Sequence, residues 1–392
     1  MYRAGGAEGN RGGGYFKCPE NKLSKFELLV GSDAFLRQAQ ADMRAARGRL
    51  YVQAMTFEGD AAGGAISDAV LASPAAVRRV LVDDYTRFVV SDRFVYSPHY
   101  LLDPDFRAEV KATRAMFDSM MQAGVGVRVT NPAGPLLVGF PFRNHKKLIV
   151  ADNVSYIGGI NFSDHNFAWH DLMLRIEDEA TAERLAADFE DTFASRLRSW
   201  IANLGDMKLY GFDGGDNHMG FTEIIAEIDA ASREITVVSP YLTFPFVDAL
   251  ERARQRGVTI RLITPLKNNK PTVRDYLLWT AERAGFEVHL TAEMIHLKGM
   301  LIDGEKLVLG SSNFDFVSFH VEEELVAVIS NPELIADFEA RVIAPLVAEA
   351  LPSDAFRPTD AAGRRCFGLL KTAERILSRD VLAQRRSVAW RS

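Results

Sequence analysis

Two stretches of the chain, HKKLIVADNVSYIGGIN (residues 145–161) and HLKGMLIDGEKLVLGSSN (residues 296–313), share one pattern. Each opens with H-x-K-x-x-x-x-D, continues through aliphatic and β-branched residues, and closes with G-[GS]-x-N. One copy of such a loose motif occurs by chance, but two copies with the same downstream asparagine indicate an internal repeat. The repeat decides the expected fold, because each copy must belong to a similar structural unit.

The repeat extends upstream of each motif. A helical segment over 33–47 precedes an apolar strand over 50–57, and a helical segment over 222–232 precedes a strand over 235–244. Both passages continue as helices that alternate with short, β-branched strands. Alternating strands and helices predict an α/β architecture in each half of the chain.

Downstream of each asparagine, an acidic residue opens a further strand. DLMLRI begins at Asp171, and ELVAVI begins at Glu324. A helix is expected after each strand, over 180–204 in the first half and over 332–344 in the second. In the first of these, apolar residues at a spacing of four predict one buried face.

These patterns divide the chain into five parts. The stretch between the halves contains five glycines within 205–220, which is typical of a linker. The predicted parts are a Gly-rich disordered tail (1–24), a first domain (25–204), a linker (205–220), a second domain (221–350) and a basic amphipathic C-terminal segment (351–392).

Composition excludes several classes of protein. The formal net charge is −6, a balance that argues against a dedicated nucleic-acid binder. The two cysteines, Cys18 and Cys366, lie far apart, so we expect neither a disulfide framework nor a cysteine zinc site, and a reducing cytoplasm fits. No run of about 18 apolar residues occurs, so we expect no transmembrane helix and only peripheral membrane contact.

The spacing within the motif points to chemistry on a phosphate. Residues two apart in a strand face the same side, so the histidine and the lysine of each motif project together. Two groups that can both carry positive charge are a poor structural pair unless an anion, such as a phosphodiester, lies between them. One histidine can then act as nucleophile and the other as proton donor. Imidazole titrates near ~6.5, so a charged and a neutral ring can coexist near neutral pH.

With both H-x-K-x-x-x-x-D motifs, their GGxN and GSxN continuations and the segment WHDLMLRIED (169–178), the chain resembles the phospholipase D superfamily, and most closely bacterial cardiolipin synthases. The resemblance covers about residues 25–350. It implies two homologous phospholipase D-like α-β-α sandwich domains packed around a pseudo-twofold axis. It also implies that cardiolipin is formed from phosphatidylglycerol through a phosphohistidine, without a cofactor or a metal ion.

The resemblance also implies roles for individual residues. His145 is expected to be the nucleophile and His296 the general acid/base, an order that the likeness of the halves leaves open. The motif aspartates, Asp152 and Asp303, are expected to have a structural role away from the phosphate. The groups expected to contact the phosphoryl oxygens are Lys147, Lys298, Asn161 and Asn313.

Asp171 and Glu324 occupy matching positions at the heads of their strands. Each is expected to accept a hydrogen bond from a catalytic histidine across the pseudo-twofold axis, which would fix the histidine tautomer. The alternative is that both are exposed acids at strand ends. Glu324 is preferred to Glu322 and Glu323 because an apolar strand follows it directly.

Three segments leave two interpretations open. The apolar loops over 131–142 and 94–106 are either lips that contact acyl chains or buried turns. The tail over 351–392 has nine Lys/Arg and four Asp/Glu, and it is either a membrane-surface helix or a helix packed on the domain. Of the other histidines, His170 and His320 lie near the motifs, where contact with substrate stays open.

The hypothesis is therefore a phosphatidyltransferase with its whole active site in one chain, acting on phospholipid at the anionic inner face of the cell membrane. The alternatives are hydrolysis of phospholipid to phosphatidic acid, a nuclease-type phosphodiesterase and a non-catalytic scaffold. Complete motifs in both halves argue against the scaffold, and the acidic balance and apolar loops argue against the nuclease. Nothing in the sequence separates transferase from hydrolase.

Overall fold

The computed structural model describes residues 15–17, 25–134, 137, 139–352 and 355–378. In the part of the chain before residue 200, ten strands and seven helices are described. The strands are β1 Tyr15–Lys17, β2 Lys25–Val30, β3 Arg49–Ala54, β4 Val77–Asp83, β5 Val89–Val90, β6 Arg93–Phe94, β7 Gly126–Thr130, β8 Leu148–Ala151, β9 Val154–Gly158 and β10 Leu172–Glu177. The helices are α1 Ser32–Ala45, α2 Ala61–Ala72, α3 Tyr85–Phe88, α4 Pro98–Leu101, α5 Pro104–Gln122, α6 Asp164–Phe167 and α7 Glu179–Phe193.

From residue 200 onward the described chain repeats a similar series. The strands are β11 Trp200–Leu204, β12 Met207–Gly211, β13 Glu234–Val238, β14 Thr259–Pro265, β15 Glu287–Thr291, β16 Gly299–Ile302, β17 Lys306–Gly310 and β18 Leu325–Ile329. The helices are α8 His218–Ala230, α9 Phe246–Gln255, α10 Pro271–Ala284, α11 Phe316–His320, α12 Pro332–Phe338, a π-helical turn Glu339–Ile343, α13 Ala344–Ala348 and α14 Asp360–Leu377.

The two large sheets have the same strand order. The first runs β2-β10-β9-β8-β3-β4-β7, and the second runs β12-β18-β17-β16-β13-β14-β15, with β11 and β1 added beyond β12. In both sheets the last three strands are parallel to one another, and the other neighbouring strands are antiparallel, except that β1 is parallel to β11. Matching order and direction confirm the predicted fold class, an α/β chain of two homologous halves.

The two halves share a core. Apolar residues of both sheets pack together with α7 and α12 in one cluster, in which Phe189 and Phe338 are fully buried. A second cluster joins the other face of the first sheet to α1 and α2, and a third joins the second sheet to α8, α9 and α10. Since the burial of apolar surface is the main stabilising term in folding, this central layer fixes the halves relative to each other.

The predicted boundary between the halves is wrong. The helix expected over 180–204 ends at Phe193, and Ser195 has a left-handed φ of 59° that a continuing helix excludes. Trp200–Leu204 then forms β11, and Met207–Gly211, within the predicted linker, forms β12 of the second sheet. Met207 and Leu209 point into the shared core, so the glycine-rich stretch contains a strand with one buried face.

The two ends of the chain also depart from the predicted organisation. Within the predicted disordered tail, residues 15–17 form β1, which pairs in parallel with β11; the rest of 1–24 lies outside the described residues. The C-terminal helix is present as α14 and packs on α10, with Gly363 so close to the indole of Trp279 that a Cβ would lie 2.0 Å from it. Residues 379–392 of the predicted basic C-terminal segment lie outside the described part of the chain. None of the helices described in the structure has both the length and the apolar surface that a bilayer crossing requires.

Candidate active site

The two halves meet in a pair of short backbone bridges that surround the motif histidines. Asn144 pairs in parallel with Glu323, and the amide of His145 donates to the Glu323 carbonyl at 2.9 Å. In the matching position, His170 pairs with Ile295, and the amide of His296 donates to the His170 carbonyl at 2.8 Å. Each motif therefore begins at a backbone contact with the other half of the protein.

These bridges bring each histidine against an acid from the opposite half. Nδ1 of His145 lies 2.9 Å from Oε1 of Glu324, and Nδ1 of His296 lies 2.8 Å from Oδ2 of Asp171. All four side chains are buried. Because a carboxylate accepts a hydrogen bond, each ring carries its proton on Nδ1 when neutral, and its lone pair lies on Nε2.

The two motif lysines lie beside the histidines and are buried as well. Nζ of Lys298 lies 2.8 Å from Nε2 of His296, and Nζ of Lys147 donates to the carbonyl of His145 at 2.8 Å. Burial lowers the pKa of Lys298 to about 7, with the nearby charge of Lys147 adding to the effect. Burial likewise lowers the pKa of Lys147 to about 8. Burial therefore disfavours the charged form of both lysines, and an anion bound between them would favour it.

Both imidazoles are poor bases in the site without substrate. Burial, followed by the charge of Lys298, lowers the pKa of His296 to about 3 against the opposing effect of Asp171. Burial and Lys147 lower the pKa of His145 well below its ordinary value. The expectation of one charged and one neutral ring near neutral pH therefore does not describe this state, because two lysines share the pocket with the rings. An anion between them would stabilise an added proton.

The two asparagines are held at the ends of β9 and β17. Oδ1 of Asn161 accepts from the amide of Thr56 at 3.3 Å, whereas the buried Oδ1 of Asn313 has no hydrogen-bond partner in the described part of the chain. Short bridges of Phe57 with Phe162 and of Leu242 with Phe314 fix the turns in which the asparagines lie. The fixed turns keep both amides beside their motifs.

The motif aspartates lie away from this pocket. Asp152 accepts hydrogen bonds from three consecutive amides, those of residues 47–49, and Asp303 accepts from those of residues 232–234. Both occupy left-handed turns, with φ of 52° and 54°. Apart from the hydroxyl of Ser232, which also donates to Asp303, these contacts are with backbone amides at the far end of the motif strand, which is the geometry of a structural residue.

The carboxylate of Glu324 has partners that the sequence did not indicate. Ser311 and Ser318 donate their hydroxyls to it at 2.5 and 2.8 Å. In the first half the position of Ser311 is taken by Gly159, where a Cβ would lie 2.4 Å from Oδ1 of Asp171. The sequence showed that one motif has GSxN and the other GGxN, but not why. The reason is that the backbone of Gly159 lies so close to the carboxylate of Asp171 that no side chain fits between them.

Two further groups complete the surroundings. The ring of Trp169 lies against that of His296 with centroids 5.2 Å apart. On the other side, the buried Glu322 places an oxygen within 4.8 Å of ligand atoms of His145 and Glu324, a set that could hold a metal ion. Lys147 already supplies positive charge to Glu322 and Glu324. The expected absence of a metal ion stays a prediction.

Upstream of the first motif, a buried ion pair fixes the chain. Asp83 accepts from Arg143 at 2.7 Å and from the amide of Asn144 at 2.6 Å. Arg143 also donates to the carbonyls of Asn131 and Gly139, so the described part of the loop over 131–142 is held by this side chain. Sequence reasoning did not assign a role to Asp83 or Arg143.

A profile described as cardiolipin synthase, PLD-like domain matches residues 40–193 and 224–343, which is most of the chain. The chain belongs to this family. The matched ranges include both histidines, both lysines, both asparagines and both acids of the pocket. Membership in the phospholipase D superfamily, expected from the motifs, is thereby confirmed.

Individual relatives of this phospholipase D-like chain are distant. Minor cardiolipin synthase ClsB of Bacillus subtilis is 28% identical over 292 residues, which are 66% of this chain and 70% of the relative. Probable cardiolipin synthase YwiE of the same organism is 25% identical, over 82% of this chain and 65% of the relative. Cardiolipin synthase A of Salmonella arizonae is 26% identical, over 81% and 68%. The chain thus spans about two thirds of the length of these relatives.

Two solved structures share the phospholipase D-like fold. Phosphatidylserine synthase from Haemophilus influenzae superposes with a TM-score of 0.64 at 16% identity, over 90% of this chain and 93% of that one. Polyphosphate kinase from Porphyromonas gingivalis superposes with a TM-score of 0.54 at 13% identity, over 90% of this chain and 56% of that one. At these identities the likeness concerns the fold alone.

Proposed function

We propose that this protein is a phosphatidyltransferase that forms cardiolipin from phosphatidylglycerol through a phosphohistidine. One observation carries the proposal: two buried histidines, each bound through Nδ1 to an acid of the opposite half, share a pocket with two lysines. That set supplies a nucleophile, a proton donor and cationic contacts for a phosphodiester. The relatives, which are cardiolipin synthases by name, favour this lipid as substrate.

In the first step, Nε2 of His145 attacks phosphorus, and the bond from phosphorus to the glycerol oxygen breaks. His296 donates its Nε2 proton to that oxygen, so glycerol leaves as a neutral alcohol. His296 must be protonated beforehand, and the bound phosphodiester provides the negative charge that makes this possible between Lys147 and Lys298. Glu324 stabilises the positive charge that develops on His145.

In the second step, the hydroxyl of another phosphatidylglycerol attacks the phosphohistidine. His296, now neutral, takes the hydroxyl proton, and the bond between phosphorus and His145 breaks. Cardiolipin is released, and the starting state returns. Asp171 keeps His296 in the tautomer that both steps need, and the amides of Asn161 and Asn313 contact the phosphoryl oxygens.

We further propose that the protein works at the anionic cytoplasmic face of the cell membrane, with a complete active site in each monomer. The aromatic segment over 94–106 supports membrane contact, because Tyr96 is 52% exposed and Leu102 is 91% exposed. On α14, Leu369 and Ile376 are also exposed beside basic residues. Large apolar side chains of this kind insert at a lipid interface when basic groups accompany them.

Lipid mass spectrometry tests the proposal. Purified protein is incubated with phosphatidylglycerol vesicles, and His145→Ala serves as the inactive control. Cardiolipin with an equal amount of glycerol is expected from the wild-type protein. Phosphatidic acid without cardiolipin would instead establish hydrolysis, and nicking of a plasmid in a parallel assay would establish a nuclease.

A further inference from the structure

Three carboxylates converge outside the histidine pocket. Glu58 follows β3, Asp60 precedes α2, and Glu109 lies on α5. One oxygen of each lies within 4.8 Å of the others. Such an approach of like charges is unfavourable without a positive partner.

Glu58 is the buried member of this cluster. Its side chain is 0% exposed; Oε2 accepts from the amide of Ser91 at 3.1 Å, but Oε1 has no hydrogen-bond partner among the residues that the structure describes. An unpartnered carboxylate oxygen in the interior is costly, and buried polar groups are almost always satisfied. Burial also raises the pKa of Glu58 to about 8, and the neighbouring acids add to that rise. The free oxygen therefore marks a place where a ligand belongs.

The surroundings add negative charge and little positive charge. Asp92 and Asp164 lie near enough to influence the same groups. His165 lies beside the cluster, with Nδ1 3.9 Å from Glu58 and Nε2 3.7 Å from Asp92, and burial lowers its pKa. No ion pair between described residues joins a lysine or an arginine to Glu58, Asp60 or Glu109. The group lacks a counter-charge of its own.

We propose that Glu58, Asp60 and Glu109 bind an oxygen-preferring divalent cation, of the class of Ca²⁺ or Mg²⁺. The geometry fits such an ion: Ca²⁺, with oxygens at about 2.3–2.6 Å, can contact two oxygens that lie up to 4.8 Å apart, whereas Mg²⁺, at about 2.0–2.1 Å, would draw them to within about 4.2 Å. The ion would also give a positive partner to Oε1 of Glu58, which is buried and has no hydrogen-bond partner among the described residues. All three ligands are carboxylates, which favours hard cations over softer transition metals.

The position of this site gives the ion a structural purpose. Ser91 joins Glu58 to Glu109 by donating its hydroxyl to Oε1 of Glu109 at 2.5 Å. The ion would therefore fix both ends of the segment over 91–109, which carries the exposed Tyr96 and Leu102. His165 packs on Trp169, which in turn packs on His296, so two aromatic rings lie between the same ion and the histidine pocket.

Isothermal titration calorimetry on the full chain, stripped with a chelator and titrated separately with CaCl₂ and MgCl₂, tests the site. One equivalent of at least one of the two ions is expected to bind and to raise Tm. Glu58→Gln and Glu109→Gln are each expected to weaken binding at least about tenfold, since changes to groups outside the ligand shell already have that effect. In chelator above pH 8, where Glu58 is ionised, both variants should be no less stable than the wild-type protein, because each removes a repelling charge.

Two controls make the outcome specific. Asp118→Asn removes an exposed charge from the same helix, α5, and Glu322→Gln alters the acid near His145; both should bind the ion as the wild-type protein does. The proposal is overturned if neither ion binds saturably up to about 10 mM. This concentration exceeds the Kd of about 10⁻³ M that weak extracellular Ca²⁺ sites have. It is also overturned if Glu58→Gln binds normally, if Glu322→Gln abolishes binding, or if the Gln variants are less stable in chelator.

Discussion

The carboxylate of Glu324 lies 2.9 Å from Nδ1 of His145, although 179 residues separate them in the chain. In the equivalent contact, Asp171 precedes His296 by 125 residues, whereas Glu324 follows His145. Neither half therefore contains a complete pair of histidine and carboxylate. The site exists only where the halves pack together.

Changing either carboxylate to its amide should slow catalysis while the fold persists. Asp171→Asn and Glu324→Gln keep the size of the side chain but remove the charge that supports an imidazolium and fixes its tautomer. A fall in kcat of about 10²–10⁴-fold is expected, as for other histidines that lose their carboxylate. Transfer rates per mole of folded protein measure it. Glu333→Gln, which changes an exposed acid on α12, is the matched control. If both Asp171→Asn and Glu324→Gln transfer as fast as this control, the assigned roles are contradicted.

A methyl group at Gly159 should disable the site more than the loss of a hydroxyl at the equivalent Ser311. The Cβ of Gly159→Ala would lie 2.4 Å from Oδ1 of Asp171 and must displace that carboxylate from His296. Ser311→Ala removes one donor to Glu324 and creates no clash. Gly64→Ala, on α2 with open space around it, controls for the added methyl. Steady-state transfer assays compare the three variants, and a Gly159→Ala enzyme as active as Gly64→Ala would be inconsistent with this packing.

The repeated motif predicted more of the site than of its surroundings. The sequence placed both histidines, both lysines and both acids by their matching positions. The structure brings the histidines and the acids into two equivalent contacts, whereas Lys298 lies against the ring of His296 and Lys147 against the carbonyl of His145. Such inference works because a duplicated fold places equivalent residues equivalently. The hydroxyls of Ser311 and Ser318 had no such signal, since their contact with Glu324 depends on how α11 packs.

The boundary between the halves could not be predicted from local composition. The glycines in 205–220 suggested a linker, yet Met207 and Leu209 alternate with polar residues and are buried in the shared core. Glycine content reports conformational freedom, whereas strand formation there depends on a partner, β18, more than a hundred residues later. The cluster around Glu58 was missed for the same reason, because its members are brought together only by tertiary structure.

The motif aspartates should affect stability rather than the chemical step. Asp303→Asn loses one carboxylate oxygen from a turn in which three amides donate to it, and a loss of about 1–2 kcal/mol is expected after allowing for its partial exposure. Urea unfolding measures this, with Asp118→Asn as the control. Burial alone would raise the pKa of Asp303, but the amides lower it overall. The stabilisation is therefore present above its ordinary pKa of 3.8 and is lost as the pH falls below that value. An unchanged midpoint at neutral pH would argue against this role.

The alkaline limb of the activity profile should report Lys298. Burial lowers its pKa to about 7, so the free enzyme loses this positive charge, and with it affinity for a phosphodiester, as the pH rises through that value. The ratio kcat/KM should therefore fall above about pH 7. In Lys298→Arg the charge persists, and the fall should move toward pH 8, where Lys147 loses its proton. Superimposable profiles for the two proteins would contradict this assignment.

The most direct test of the two-histidine mechanism is to identify the covalent intermediate by mass spectrometry. Wild-type protein is mixed with phosphatidylglycerol vesicles, quenched within one turnover at alkaline pH, and digested. The mechanism predicts a phosphatidyl group on the peptide that contains His145 and no such group in His145→Ala. It also predicts that neither His145→Ala nor His296→Ala turns over. A phosphatidyl group on the peptide that contains His296, or turnover by His145→Ala without any adduct, would contradict it.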